Sequence, residues 1–111
     1  MLLLAMDCDG TCESPNHPEN VVKIAWLRKL KGAGHIVVFV SDSGDCQPYW
    51  PEFDHVSSPQ GDPRLEALKA TRQKYPQCEL AIYISDNGGD DERSRQAGYV
   101  YVHPSNFRMG A

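Results

Sequence analysis

The stretch LLLAMDCDGT (residues 2–11) carries the strongest structural signal in this chain, because an apolar run leads directly into two acids. Residues 2–7 predict a strand that is buried on both faces, as in a parallel sheet covered on both sides. Asp7 closes this strand, and Asp9 follows two residues later. Acids at the end of a buried strand are costly unless a metal ion, hydrogen bonds or water satisfies them. The stretch therefore predicts a polar site at the carboxyl end of a buried strand.

Further apolar runs predict the other strands of a sheet. They are HIVVFVS (35–41), ELAIYIS (79–85) and YVYV (99–102), with a short strand near His55–Ser57. Runs that are apolar throughout, rather than alternating, are typical of strands buried on both faces. The sheet is therefore expected to be mainly parallel.

Helices are predicted between these strands from their end signals. The first is expected to begin at Pro18-Glu19 and to end at Gly32 or Gly34, since proline suits the first helical position and glycine follows the last. The second begins at Asp62-Pro63, and the third runs from about Asp90 to Ala97. Strands that alternate with helices predict an α/β fold, a three-layer α/β/α sandwich around a roughly five-stranded, Rossmann-like sheet.

The composition is that of an ordinary globular protein and argues against several classes of function. Hydrophobic residues make up 41% of the chain and charged residues 23%, and the net charge is −4. Without a basic surplus, binding to nucleic acid or to a membrane surface is not expected. The segment MLLLAM is too short for a signal peptide or a membrane span, so a cytoplasmic protein is expected. The length of 111 residues suits a single domain over residues 1–111.

Four cysteines stand at positions 8, 12, 46 and 78, and none of them forms a CxxC pair. A zinc site needs four convergent ligands, which this spacing does not favour. In a chain of cytoplasmic character, such thiols are expected to stay reduced. Strand alternation turns Cys8 away from the face used by Asp7 and Asp9, so we interpret Cys8 as a packing residue.

Acids or hydroxyls lie at the ends of three of the predicted strands, the runs 2–7, 35–41 and 79–85. Because the carboxyl ends of parallel strands meet at one edge, these side chains are expected to gather there. Gathered carboxylates repel one another unless a cation offsets their charge, and carboxylates with a backbone carbonyl and waters describe a Mg²⁺ site. Asp90 taken alone has a simpler interpretation, as a helix N-cap. The expected set is Asp7 and Asp9 from the first strand, Ser41 from the second, and Asp86 with Asp90 around a Gly-Gly turn after the third.

Three segments of the chain follow the order of motifs in a known enzyme family. LLLAMDCDGT (2–11) is an apolar strand followed by D-x-D-G-T, and VVFVS is an apolar strand that ends in Ser41. AIYISDNGGDDERSRQAGY (81–99) is an apolar strand, an Asp, three residues, a second Asp and a short helix. They resemble motifs one, two and four of the haloacid dehalogenase-like superfamily of phosphohydrolases. The resemblance covers residues 2 to 102 and implies one haloacid dehalogenase-like core domain.

The resemblance implies a role for each residue of the set. Asp7 would be the nucleophile that attacks phosphorus and forms an aspartyl-phosphate, and Asp9 would be the general acid–base. Asp7 and Asp86 would ligate Mg²⁺ together with the backbone carbonyl of Asp9, and Asp90 would complete or orient that shell. Ser41 would hydrogen-bond a phosphoryl oxygen. The expected function is Mg²⁺-dependent hydrolysis of a phosphate monoester.

Three points of the resemblance stay open. Motif three, a cation that pairs with the phosphate and the nucleophile, falls best on Arg64, with Lys69 as a less well placed rival. The simpler interpretation of Arg64 is an exposed helix charge. Asp91 is the alternative to Asp90 as the second acid. Asp42 adds an acid close to the expected phosphate, where it either points away or weakens binding of some substrates.

The substrate is inferred from what the chain lacks. A chain of 111 residues has no room for the cap domain that many relatives insert, so a large substrate or a neighbouring subunit is expected to cover the site. We expect a small phosphorylated metabolite rather than a phosphoprotein, bound in a homo-oligomer. The loop from Ser43 to Pro59 carries Tyr49, Trp50 and Phe53, which form either a satellite core or a wall for the leaving group. The alternative function is a non-catalytic phosphate- or Mg²⁺-binding module in regulation or assembly.

Overall fold

Five parallel strands form one sheet at the centre of the structure, a computed structural model that describes residues 1–109. The strands are β1 (Leu2–Met6), β2 (Ile36–Val40), β3 (Asp54–Val56), β4 (Leu80–Ile84) and β5 (Val100–Val102). Their order across the sheet is β3-β2-β1-β4-β5, and each pair of neighbours is parallel. The chain winds to one side of β1 and then to the other, so the switch in strand order lies at β1. Ligands of such sheets bind at the carboxyl ends of the strands beside this switch.

Helices cover both faces of the sheet, as predicted for a three-layer α/β/α sandwich. They are α1 (Ile24–Gly32), α2 (Asp62–Lys74) and α3 (Asp90–Ala97). α1 packs on one face through Ile24 and Leu27, whereas Leu68 of α2 and Ala97 of α3 pack on the other. Within residues 1–109, no helix combines the length and the apolar character needed to cross a bilayer.

The burial of β1 explains its uninterrupted apolar sequence. Leu4 and Met6 point to the core that α1 covers, and Leu3 and Ala5 point to the core under α2 and α3. All four side chains are fully buried. A central strand between two helix layers must be apolar on both faces, which is why the sequence shows a continuous run rather than an alternation.

The prediction for the start of the first helix was wrong. The helix begins at Ile24 rather than at Pro18-Glu19, because the preceding residues form a bridge instead. Val22 pairs with Cys12 in parallel, and the Val22 N–H donates to the Thr11 carbonyl at 3.0 Å. The carboxylate of Glu13 accepts the Ile24 N–H at 2.7 Å and so caps the helix from a distant part of the sequence. This cap is non-local, so the local proline and acid signals misplaced the boundary.

The other two helices begin where the sequence predicted. α2 starts at Asp62 with Pro63 in its first turn, and α3 runs from Asp90 to Ala97. Gly98 closes α3 with φ +87°, in the left-handed region where a side chain would be strained.

The interpretation of Cys8 as a reduced packing residue is corrected by a disulfide with Cys46. The two Cα atoms are 6.1 Å apart, and the side chains lie in the core that α1 covers. The 3₁₀ segment Gly44–Tyr49 folds over the end of β1 on this face and brings Cys46 to Cys8. Cys12 and Cys78 are buried free thiols. The disulfide ties the segment after β2 to a residue that lies between two candidate catalytic acids.

The aromatic residues of the loop after β2 pack into the main core that α1 covers, rather than into the separate satellite core that was one of the two expected arrangements. Phe53 is buried and meets Phe39 edge-to-face, with ring centroids 5.8 Å apart. Tyr49 and Trp50 are half-buried against the same core, and Trp50 stacks on His55 at 3.6 Å. Their apolar area is used in folding, so these rings are not a free apolar patch.

Candidate active site

Asp7 is the first residue after β1 and lies at the carboxyl edge of the sheet. Its N–H donates to the Ile84 carbonyl at 2.9 Å, which extends the pairing of β1 with β4. Its side chain is almost fully buried, and Oδ1 accepts the Cys8 N–H at 2.8 Å. The end of the central strand therefore holds a buried carboxylate in a fixed position.

Arg64, in the first turn of α2, brings a buried positive charge to Asp7. Its side chain is 1% exposed, and Nη1 is 3.5 Å from Asp7 Oδ1. The guanidinium also donates to the hydroxyl and carbonyl of Ser58, at 3.2 and 3.0 Å, and to the hydroxyl of Tyr83. Burial raises the pKa of Tyr83 well above its usual range, so this hydroxyl stays neutral. Arg64 is therefore held in place by its neighbours and faces the carboxylate.

The two candidates for the pairing cation occupy different environments. Lys69 is partly exposed and lies 3.7 Å from Glu66 on its own helix, whereas Arg64 is buried beside Asp7. The simpler interpretation of Arg64 as an exposed helix charge is wrong. A buried guanidinium is costly unless a charge and hydrogen bonds compensate it, and the environment of Arg64 provides both.

The ionised form of Asp7 is disfavoured despite Arg64. The pKa of Asp7 is raised to about 6, chiefly by burial and to a smaller extent by the charges of Asp86 and Asp90, while Arg64 and the Cys8 N–H act in the opposite direction. Asp7 and Asp90 are buried and Asp86 is exposed, and the charges of both neighbours reach Asp7. A cation or a bound proton would relieve their repulsion.

Asp86 lies over Gly10, in the loop that follows β1. A Cβ built on Gly10 would be 2.0 Å from Asp86 Oδ2, and Gly10 has φ +68°. A side chain at position 10 would therefore be strained and would collide with the carboxylate. The missing side chain lets Asp86 approach the loop that contains Asp9, next to Asp7.

Asp90 is the inward acid of the third strand end. It is fully buried; Ser85 Oγ donates to its Oδ2 at 2.7 Å, and Arg93 Nη1 donates to its Oδ1 at 3.0 Å. Gly89 occupies the N-cap position, so the interpretation of Asp90 as an N-cap is wrong. Asp91 is partly exposed and pairs with Arg95 at 3.1 Å. With both oxygens in hydrogen bonds, Asp90 orients the loop after β4.

Asp9 and Ser41 meet through Ser43. Asp9 is exposed, and its Oδ1 accepts a hydrogen bond from Ser43 Oγ at 2.8 Å. Ser41 is buried, and its Oγ accepts the Ser43 N–H at 3.1 Å, a bond that does not use the hydroxyl proton of Ser41. Asp42 is exposed to solvent. The end of β2 thus contributes a hydroxyl donor and a residue that holds Asp9.

Sequence reasoning missed Gln60, which lies over Asp7. Its Nε2 donates to Asp7 Oδ2 at 2.8 Å, and its Oε1 accepts from Asn87 Nδ2 at 3.1 Å. The signal was weak, since Gln60 is one polar residue in a loop. However, this loop precedes α2, and loops that follow parallel strands meet at one edge of a sheet. Ser43 was missed for the same reason.

The carboxylates at this edge are ligands of the chemical kind that Mg²⁺ binds. Among residues 1–109, no three or more His, Cys, Asp or Glu side chains are arranged to hold a metal. Mg²⁺, however, is usually bound through one or two carboxylates and keeps several waters. Asp7 and Asp86 are two carboxylates at this edge, close enough for the charge of Asp86 to raise the pKa of Asp7.

The carboxyl edge thus brings together Asp7, Arg64, Asp86 and Gln60, with Asp9 and Ser41 joined through Ser43. Each of the predicted site residues lies at this edge, and Lys69 and Asp91 do not take part in its contacts. No family model, curated protein or solved structure matched the chain in comparisons with known proteins.

Proposed function

We propose that the protein is a haloacid dehalogenase-like phosphatase that hydrolyses a phosphate monoester in the presence of Mg²⁺. The observation that carries this proposal is the buried pair of Asp7 and Arg64, 3.5 Å apart at the carboxyl end of the central strand. A carboxylate beside a fixed guanidinium can meet an anionic phosphoryl group, because the cation offsets the charge of both. A purely structural ion pair would not need Asp86 in the same region.

Asp7 is the nucleophile in this proposal. A carboxylate oxygen attacks phosphorus, the bond from phosphorus to the ester oxygen breaks, and an aspartyl-phosphate forms on Asp7. Water then attacks the phosphorus of this intermediate, which releases inorganic phosphate and restores the carboxylate. Asp7, Asp86 and the backbone carbonyl of Asp9 would hold Mg²⁺, which would neutralise part of the negative charge of the phosphoryl group.

Asp9 is the general acid–base. In the first step it protonates the departing ester oxygen, and in the second it takes a proton from the attacking water. Its exposure to solvent suits this exchange, and its hydrogen bond from Ser43 limits the directions its carboxylate can take.

Ser41 and Arg64 bind the phosphoryl oxygens. The hydroxyl proton of Ser41 is not used by its bond to Ser43, so it can donate to an oxygen of the phosphate. Arg64 is fixed by Ser58 and Tyr83 and offers positive charge without having to move. The proposed substrate is a small phosphorylated metabolite. The proposed assembly is a homo-oligomer in which a neighbouring subunit covers the site.

The experiment is hydrolysis of an aryl phosphate with Mg²⁺, followed by EDTA and then by excess Mg²⁺. We expect turnover that EDTA abolishes and Mg²⁺ restores. Asp7→Asn should fold and lose activity by roughly 10³-fold or more, because an amide cannot attack phosphorus in this way. Asp54→Asn, the same change at the exposed amino end of β3, is the matched control and should keep wild-type activity.

Near-wild-type turnover in Asp7→Asn would contradict the proposed mechanism. A wild-type protein without turnover, whose melting temperature rises with Mg²⁺ or phosphate, would instead support the non-catalytic binding module.

A further inference from the structure

A directed chain of hydrogen bonds ends on the outer oxygen of Asp7. The Gly89 N–H donates to Asn87 Oδ1 at 3.0 Å, Asn87 Nδ2 donates to Gln60 Oε1 at 3.1 Å, and Gln60 Nε2 donates to Asp7 Oδ2 at 2.8 Å. We call these three bonds the amide relay. It connects the loop before α2 with the loop after β4 across the candidate nucleophile.

The direction of the relay is set by its backbone end. Only a side-chain oxygen can accept the Gly89 N–H, so Asn87 must present its NH₂ group to Gln60. Gln60 then accepts with its oxygen, which leaves its NH₂ group facing Asp7. Each amide orientation follows from the one before it, and the last group in the relay is a donor to the carboxylate.

The two oxygens of Asp7 are held from opposite sides. Oδ1 faces the interior, where it accepts the Cys8 N–H and lies near Arg64. Oδ2 meets Gln60, which is exposed, as is Asn87. The relay therefore contacts the carboxylate from the solvent side, the side from which a substrate arrives.

The loop that carries Gln60 is itself anchored. The hydroxyl and carbonyl of Ser58 both accept from Arg64, and the Gly61 carbonyl accepts the Arg64 N–H at 3.0 Å. Gln60 lies between these two anchors. One residue, Arg64, thus fixes both the inner side of Asp7 and the loop that reaches its outer side.

We propose that Gln60 is a positioning residue for Asp7 and that Asn87 acts through Gln60. This inference rests on the proposed function and deepens it. By holding Oδ2, Gln60 fixes the rotation of the Asp7 carboxylate. The oxygen that attacks phosphorus is then aligned when Ser41 and Arg64 bind the phosphate. Small errors in the placement of a nucleophile lower the rate of attack steeply, whereas the binding of phosphate depends on other groups.

The experiment compares Gln60→Ala, Asn87→Ala, the double variant and Gln73→Ala, a control at an exposed glutamine of α2. The readouts are kcat/KM for an aryl phosphate and the inhibition constant of inorganic phosphate. We expect Gln60→Ala to lower kcat/KM by about 10- to 100-fold and to change the inhibition constant by less than about threefold. Gln73→Ala should match the wild type in both.

The double variant shows whether Gln60 and Asn87 act together to position Asp7, or whether they only connect the loop before α2 to the loop after β4. Because Asn87 acts through Gln60, the double variant should be within about twofold of Gln60→Ala, at an unchanged melting temperature. Gln60→Glu, which sets a second carboxylate against Oδ2, should be at least as impaired as Gln60→Ala. Additive losses, or a loss that follows melting temperature alone, would overturn the proposal.

The result also distinguishes this inference from the proposed function. An active wild type with an unimpaired Gln60→Ala would overturn the positioning role and leave the phosphatase proposal standing. A wild type without turnover would overturn both.

Discussion

The surroundings of Asp7 favour its protonated form more than water does. Burial and the charges of Asp86 and Asp90 raise its pKa to about 6, although Arg64 and the Cys8 N–H oppose this. Its ordinary value is 3.8, so the folded protein binds the proton more tightly than the unfolded chain. The free energy of unfolding therefore falls as the pH rises from about 4 to above 6, and it stays lower at neutral pH.

Asp7→Asn should remove this pH-dependent loss of stability. Measured in EDTA, the unfolding free energy of the variant relative to wild type should rise by about 2–3 kcal/mol between pH 4 and pH 7, since one pKa unit corresponds to about 1.4 kcal/mol. Urea unfolding at several pH values is the measurement. Asp54→Asn should follow the wild type, and parallel pH profiles for Asp7→Asn and wild type would contradict the assignment.

The sequence predicted the individual residues that follow a strand. It did not predict the residues whose hydrogen bonds fix those side chains in place. Asp7, Asp86 and Ser41 directly follow apolar runs, and such positions must lie at the carboxyl edge. Gln60 and Ser43 reach the same place from loops, through contacts that depend on side-chain direction. Strand periodicity carries no information about such contacts.

The segment Gly44–Tyr49 depends on a contact from a distant part of the chain. It is a 3₁₀ helix with Pro48 inside, and Ser43 caps it by accepting the Asp45 N–H at 3.3 Å. Its disulfide from Cys46 to Cys8 crosses 38 residues of sequence. The disulfide therefore holds this segment against the loop that follows β1, and Ser43 stays beside Asp9.

Cys46→Ser should lower the free energy of unfolding by about 2–4 kcal/mol, since the crosslink restricts the unfolded chain. Dithiothreitol should lower the melting temperature of the wild type and leave that of Cys46→Ser unchanged, which makes the variant its own control. Thermal unfolding with and without reductant measures both. A wild type insensitive to reductant, with its disulfide shown to be open, would contradict this role.

Whether a helix boundary was predicted correctly depends on whether its end signal lies in the local sequence or in a distant part of the chain. α2 and α3 have their end signals in the local sequence, at Asp62-Pro63 and at Gly98, and both helices begin or end as predicted. The start of α1 depends on Glu13, and the segment Gly44–Tyr49 depends on Cys8. Non-local contacts of this kind are not visible in a single sequence, so these two features were misplaced or missed.

For the whole molecule, the sequence predicted the architecture because a buried parallel sheet leaves a strong pattern. Two cores lie on opposite faces of the same five strands, and β1 contributes side chains to both. A strand that is apolar on both faces cannot remain folded when one face loses its helices. The two cores should therefore unfold together.

Leu27→Ala in α1 and Leu68→Ala in α2 test this coupling, since each leucine is fully buried in a different core. Each substitution should lower the free energy of unfolding by about 2–5 kcal/mol, because it leaves a cavity that the surroundings only partly fill. Tryptophan fluorescence, which reports on Trp26 and Trp50 against the α1 core, and far-ultraviolet circular dichroism, which reports on all helices, should give the same midpoint in each variant. Lys29→Ala, on the exposed side of α1, is the control and should shift neither midpoint. If Leu68→Ala lowered the midpoint of the dichroism and not that of the fluorescence, the two faces would unfold separately, and the sheet would not be the common framework that positions Asp7.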